Sequence, residues 1–189
     1  MSLKNVDYKD WFINQPRIPD KSSVEYKEFF NFHKELCVNG CMMNGVYINP
    51  FLYWHLNIWH TEVDVIDERG RISQSYANPL LRDNEWIVTN EIDRAHQEKK
   101  GLVILGIRRF AKSVLEASYI GWGATFDENS QNIIAGLNAP DIKLITDKLD
   151  KGLNFLPEAW RWQRIEDNWK NQVTLGIKTD RKSTRLNSS

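Results

Sequence analysis

The sequence predicts an α/β chain, an incomplete parallel sheet flanked by helices and preceded by a helical segment and a β-hairpin. Leu102-Val103-Ile104-Leu105 is a continuous apolar run between Gly101 and Gly106, the pattern of a strand covered on both faces. It leads through a polar loop into a helical stretch, Val114 to Ile120. A second unit of the same kind follows, with Asn132 to Leu137 as strand and Asn138-Ala139-Pro140-Asp141 as helix start, so the order is strand, helix, strand, helix. Upstream, Trp59, Thr61, Val63 and Val65 alternate with His60, Glu62 and Asp64, which marks a half-exposed strand instead.

The elements follow in order from the residues. Gln15 to Asp20 is a proline-marked arm, and Ser22 with Glu25 forms a capping box that opens a helix over 22–38. Val24, Phe29, Phe32 and Leu36 share one face of it, and Asn39-Gly40 is its stop. From Val46 to Ile66 aromatic and β-branched residues dominate; Asp67-Glu68-Arg69-Gly70 is a turn, and Arg71 to Ala77 returns as the partner strand. Asn78-Pro79 breaks that strand. A helix begins at about Asp83, with Leu81, Val88, Ile92 and Ala95 as its apolar stripe, Lys99 and Lys100 at the negative end of its dipole and Gly101 as its stop. Gly121 ends the next helix. Ile142, Ile145 and Leu149 fall at helical spacing before Gly152, and an amphipathic stretch with Trp160, Trp162 and Trp169 precedes a strand from Val173 to Ile177. The chain thus divides into a lead segment (1–80), the first part of a nucleotide-binding domain (81–178) and a structureless tail (179–189) whose R-K-S-T-R-L-N-S-S resembles a non-native reading frame.

Composition narrows the class. The 189 residues suit one compact domain or the first part of something larger, and 25 Lys plus Arg against 25 Asp plus Glu leave no global basic field to attract nucleic acid or an anionic membrane. A hydrophobic content of 41% with eight Trp excludes a disordered chain. With no apolar run near the roughly 18 residues of a membrane span and no signal-peptide pattern, the expectation is a cytoplasmic protein. The two cysteines cannot make a disulfide scaffold.

Residues 106–113 read G-I-R-R-F-A-K-S, one substitution away from the phosphate-binding pattern G-x-x-x-x-G-K-[ST]. In that pattern backbone N–H groups of the loop surround the phosphates, and the helix N-terminus adds its positive end. Gly106, Ile107, Arg108, Arg109, Phe110, Ala111, Lys112 and Ser113 are therefore the candidate ATP-binding residues. Lys112 would reach the β and γ phosphates and the Ser113 hydroxyl would help hold Mg²⁺. Ala111 stands where the pattern has Gly, which is compatible wherever φ stays negative. Arg108 and Arg109 exceed what phosphate charge requires, and one of them is a candidate for stabilising the charge of a transferring phosphoryl group.

This segment, with Leu81-Arg82-Asp83-Asn84-Glu85-Trp86 upstream, the N-G-V-Y-I-N-P-F-L-Y-W-H-L-N stretch from Asn44 to Asn57 and the hairpin before Pro79, resembles the large terminase subunit, the ATP-driven DNA-packaging motor of tailed phages. The resemblance spans roughly residues 25 to 178. It implies a P-loop NTPase fold, an ATPase with ATP and Mg²⁺ as cofactors and a catalytic role for Arg108 beside Lys112. Its implied partners are double-stranded DNA, a portal protein and the small terminase subunit, with a homo-oligomeric state for the full-length protein in the host cytoplasm. Arg82-Asp83 sit where that family carries an adenine-contacting motif, without its Gln.

An apolar strand ending in Asp-Glu, which P-loop NTPases use to order Mg²⁺, is absent after Ser113, and so is the family's acidic nuclease cluster. The chain therefore reads as an N-terminal fragment, inactive by itself. Val63 to Glu68 imitates the acidic motif but lies before the loop and reads better as hairpin. His33, Cys37 and Cys41 fall at spacings of four but supply only three ligands for zinc. His55 and His60 have no partner spacing for a hydrolytic triad. The alternatives are another DNA-translocating P-loop NTPase of the helicase kind, or a non-catalytic adaptor in which the loop is only structural.

Overall fold

A computed structural model of the chain describes residues 19–66, 68–105, 112–127, 134, 139–157, 160, 163–166, 175–179 and 182–184. The chain forms two compact units, Met1–Lys112 and Ser113–Ser189. Among the described residues it is mixed α/β, with five helices and strand pairs that are all antiparallel.

The first unit opens with α1 (Val24–Asn39). The expected Ser22–Glu25 box does not form, because the Asp20 carboxylate takes Ser22 instead: both its N–H (2.8 Å) and its Oγ (2.6 Å) donate to Asp20 Oδ1. The buried face is also not the expected one. Phe30, His33 and Cys37 turn inward while Val24 and Phe32 remain 76% and 58% exposed. A reading by apolar residues alone rotates the helix by about one residue, because it leaves out the histidine at the centre of the true stripe.

Gly40 ends α1 with φ 70° and ψ −172°, a region open essentially to glycine, and its own close packing adds a second reason. A Cβ there would lie 2.5 Å from the Ile48 carbonyl oxygen. The chain then makes a small hairpin from β1 (Cys41–Met43) and β2 (Val46–Ile48) and enters α2 (Pro50–Asn57).

Helix α2 interrupts a stretch that composition alone assigns to strand. Its start signal is Asn49-Pro50: Asn49 Oδ1 accepts the Leu52 N–H at 2.8 Å, and Pro50 occupies the first turn, where an N–H is not needed. Phe51 through Leu56 are all buried, so α2 is the centre of this unit rather than a surface helix. Trp59, just beyond it, packs against Trp54 with ring centroids 6.0 Å apart.

The expected hairpin is present as β3 (Thr61–Ile66) and β4 (Ile72–Ala77), antiparallel in the register Thr61↔Ala77 to Ile66↔Ile72. Glu62 and Tyr76 stand directly opposite, and the Tyr76 hydroxyl donates to Glu62 Oε1 at 2.7 Å. At its exit the Asn78 amide donates to the Trp59 carbonyl.

Helix α3 (Asp83–Gln97) packs on α2, and Trp86, Val88, Thr89 and Ile92 are among its buried residues. Glu85 reaches back so that its Oε2 accepts the Arg82 N–H at 3.0 Å. The helix stops before Gly101, with Lys99 itself taking φ 52°.

Leu102–Leu105 departs from expectation most. These residues form no strand, and Val103 and Leu105 are 85% and 94% exposed. A central parallel strand buries its side chains only when neighbours pair with both edges and helices cover both faces, and no described strand pairs with it here. The other expected parallel strand, 132–137, lies outside the described residues apart from Ile134.

In the second unit α4 (Lys112–Phe126) and α5 (Ala139–Phe155) both run through the glycines expected to stop them. Gly121 is buried on α4, and Thr125 Oγ1 donates to its carbonyl at 2.6 Å. Gly152 is buried on the face of α5 that also carries Thr146, Leu149 and Leu153. A buried helical glycine that permits close packing offsets its cost of about 1 kcal/mol. Phe126 meets Trp160 edge to face at 5.7 Å. A three-stranded antiparallel sheet, β5 (Gln163–Glu166), β6 (Leu175–Thr179) and β7 (Lys182–Thr184), completes the unit. The β7 strand falls in the tail expected to be structureless; it carries no apolar residue, and its pairing with β6 is through backbone groups to which hydrophobic patterning is blind.

Candidate functional site

Of the eight candidate ATP-binding residues, Gly106, Ile107, Arg108, Arg109, Phe110 and Ala111 lie outside the described residues. Lys112 and Ser113 are the first two residues of α4. The sequence expects that helix to follow the loop, and it starts two residues earlier than the apolar pattern alone suggests. Leu115, Ala117, Ser118, Gly121 and Thr125 anchor α4 by burial, whereas Lys112 is exposed and Ser113 half-buried.

The first N–H groups of a helix have no carbonyl within it to pair with and carry the positive end of its dipole. Lys112 adds an ammonium and Ser113 a hydroxyl at that same end. This donor set suits the phosphate end of a nucleotide, and Ser113 Oγ is a neutral oxygen of the kind that ligates Mg²⁺. Among the described residues no group of three or more His, Cys, Asp or Glu side chains is arranged to hold a metal ion.

The upstream segment has a structural role that can be read directly. Arg82 precedes α3 and is exposed, Asp83 is its first residue, and Glu85 is buried, its carboxyl pushed above the ordinary range by desolvation and partly restrained by the Arg82 backbone bond. Asp64, within the sequence that imitates an acidic motif, is an exposed residue of β3 facing Gln74 across the hairpin.

A second concentration of titratable side chains lies between α1 and α2. His33 Nδ1 and Tyr53 Oη are 2.7 Å apart in a buried contact. Burial lowers the His33 pKa from its ordinary value and pushes the Cys37 and Cys41 thiols up, which leaves all three neutral at neutral pH. Tyr53 is likewise pushed far up by burial. The spacing of His33, Cys37 and Cys41 draws attention in the sequence as a metal motif, but the partner that His33 meets is a tyrosine twenty residues away, which no local spacing signals. His55 is completely buried on α2 and depressed to about 3 by desolvation, and His60 Nδ1 lies 3.0 Å from the Ile58 carbonyl. His55 is part of the core around α2, whereas His60 is half-buried just beyond it.

No helix among the described residues is long and apolar enough to cross a membrane. The chain matches no protein-family model, no curated protein and no solved structure.

Proposed function

We propose that this chain carries the nucleotide-binding part of an ATP-driven DNA-packaging motor similar to the large terminase subunit. The observation that carries the reading is the pair Lys112-Ser113 opening α4 directly after Gly106-Ile107-Arg108-Arg109-Phe110-Ala111, which puts an ammonium, a hydroxyl and the positive end of a helix dipole at the end of a phosphate-loop pattern. In this reading Lys112 neutralises the β and γ phosphates, Ser113 offers its oxygen to Mg²⁺, and Arg108 stabilises charge on the transferring phosphoryl group. ATP supplies the anhydride bond whose hydrolysis drives the motor. The reading further requires that Leu102–Leu105 join a parallel P-loop sheet, and it carries with it double-stranded DNA, a portal protein, a small subunit and a homo-oligomeric motor as partners.

The experiment is equilibrium binding of a fluorescent ATP analogue with Mg²⁺ to the chain and to Lys112→Ala. Saturable binding that the substitution weakens at least about tenfold is expected, since a charge-assisted contact to phosphate is lost. In a chain extended through a complete ATPase domain, Arg108→Ala should leave affinity within about a few-fold but lower turnover strongly. Equal binding by both chains sinks the assignment. A non-catalytic adaptor is the second reading, favoured by the exposure of Val103 and Leu105, an apolar run suited to covering by a partner. It predicts no saturable nucleotide binding at all.

A further inference from the structure

Helix α1 packs against α2, and His33 and Tyr53 make a buried polar contact between them at 2.7 Å. The imidazole is 4% exposed and lies among aromatic rings, with centroids 4.3 Å from Phe29, 5.4 Å from Phe32 and 6.1 Å from Tyr53. The titratable groups gathered around the pair are Cys37, one turn further along α1, and Cys41 at the start of β1; both are neutral thiols and supply no counter-ion. Cys37 is fully buried on the same face of α1 as His33, whereas Cys41 is half-buried.

We infer that the His33–Tyr53 contact is an acid-sensitive latch, in which protonation of His33 releases α1 from α2 and uncovers Cys37 while the core around α2 stays folded. A neutral imidazole has one donor and one acceptor nitrogen, and a proton taken from solvent makes both nitrogens donors. If the Tyr53 hydroxyl donates to Nδ1, that acceptor disappears. If Nδ1–H donates to Tyr53 Oη, the bond survives but a full charge is left among Phe29, Phe32 and two neutral thiols, where desolvation is costly. Release hydrates the imidazolium in either case.

The sign follows from proton binding. Burial lowers His33 below its ordinary value of 6.5, so the docked state binds fewer protons than the released one. Docking is at full strength above that value and weakens as the pH falls through it. His55, depressed to about 3 within α2, obeys the same linkage for unfolding of the core, because the unfolded chain takes up a proton there below its ordinary value of 6.5. Acid therefore weakens the core over the same range, and a signal from the core is read beside the labelling to tell helix release from unfolding.

The test is thiol labelling with 4,4′-dithiodipyridine, with Cys37 and Cys41 quantified in separate peptides by mass spectrometry. Cys41 serves as an internal reference that cancels the reagent's own pH dependence. Between about pH 7.5 and about pH 5.5 the Cys37-to-Cys41 labelling ratio should rise up to about tenfold, the ceiling for one group of ordinary value 6.5 read one pH unit below it. His33→Gln should flatten the response. The near-UV circular dichroism of the wild-type chain, to which Trp54 and Trp59 contribute, should hold constant across the range. A ratio that does not change, or one that rises equally in a folded His33→Gln chain, overturns the proposal. Should that variant fail to fold, the wild-type chain decides: a rise in the ratio at constant near-UV signal supports the latch, and a rise that tracks loss of that signal refutes it.

Discussion

Replacing Asn49 with alanine tests how α2 is held. The Asn49 side chain is fully buried; its Oδ1 accepts the Leu52 N–H at 2.8 Å and its Nδ2 faces Asn90 Oδ1 on α3 at 3.3 Å. Loss of a helix cap costs about 1 kcal/mol in exposed settings. Here the orphaned Leu52 amide lies in the interior and water cannot replace the lost oxygen, which moves the cost toward the about 1–3 kcal/mol of an unsatisfied buried donor. The long Asn90 contact adds about 0.5 kcal/mol, so the expected destabilisation is about 2–3 kcal/mol. Urea unfolding followed by tryptophan fluorescence should show the midpoint of the first unit lowered by about 1 M, given slopes of about 1–3 kcal/mol per M. Asn49→Ser keeps an acceptor at the cap and should recover most of the loss. A cost below about 0.5 kcal/mol for alanine, or a serine variant as unstable as the alanine one, would refute the capping account.

Gly40→Ala should destabilise the first unit by at least about 2 kcal/mol, because a region open mainly to glycine is occupied and the new Cβ meets the Ile48 carbonyl oxygen at 2.5 Å and Tyr47 Oη at 2.8 Å; unchanged thermal unfolding would show that this turn relaxes freely. Val103→Lys with Leu105→Lys should leave stability within about 0.5 kcal/mol, as expected for exposed positions, while reducing concentration-dependent association in sedimentation velocity. A large loss of stability in that double variant would mean that both side chains are packed.

Local chemistry written in consecutive residues is legible in the chain itself. The alternation from Trp59 to Val65, the turn at Asp67 to Gly70 and the break at Asn78-Pro79 define the β3–β4 hairpin, and a helix after the Lys112-Ser113 pair follows from the loop pattern. Asn49-Pro50 is an equally local signal for α2, masked by the β propensity of the aromatic residues around it. The candidate phosphate-binding residues follow entirely from their order in the chain, and the structure describes only Lys112 and Ser113 among them.

The sequence by itself determined what depends on neighbours in the chain: where the turn and alternating strands of the β3–β4 hairpin fall, and that Asn39-Gly40 ends α1. Tertiary structure alone decided what depends on the company a segment keeps. Leu102–Leu105 has the composition of a buried strand, yet burial is conferred by neighbouring strands and covering helices, and without pairing among the described elements Val103 and Leu105 stand in solvent. Gly121 and Gly152 read as stops but continue their helices, because packing around a buried glycine outweighs its intrinsic preference. His33 turns inward because Tyr53, distant in sequence, satisfies its ring nitrogen, and a polar side chain becomes part of the core only when the fold brings it such a partner.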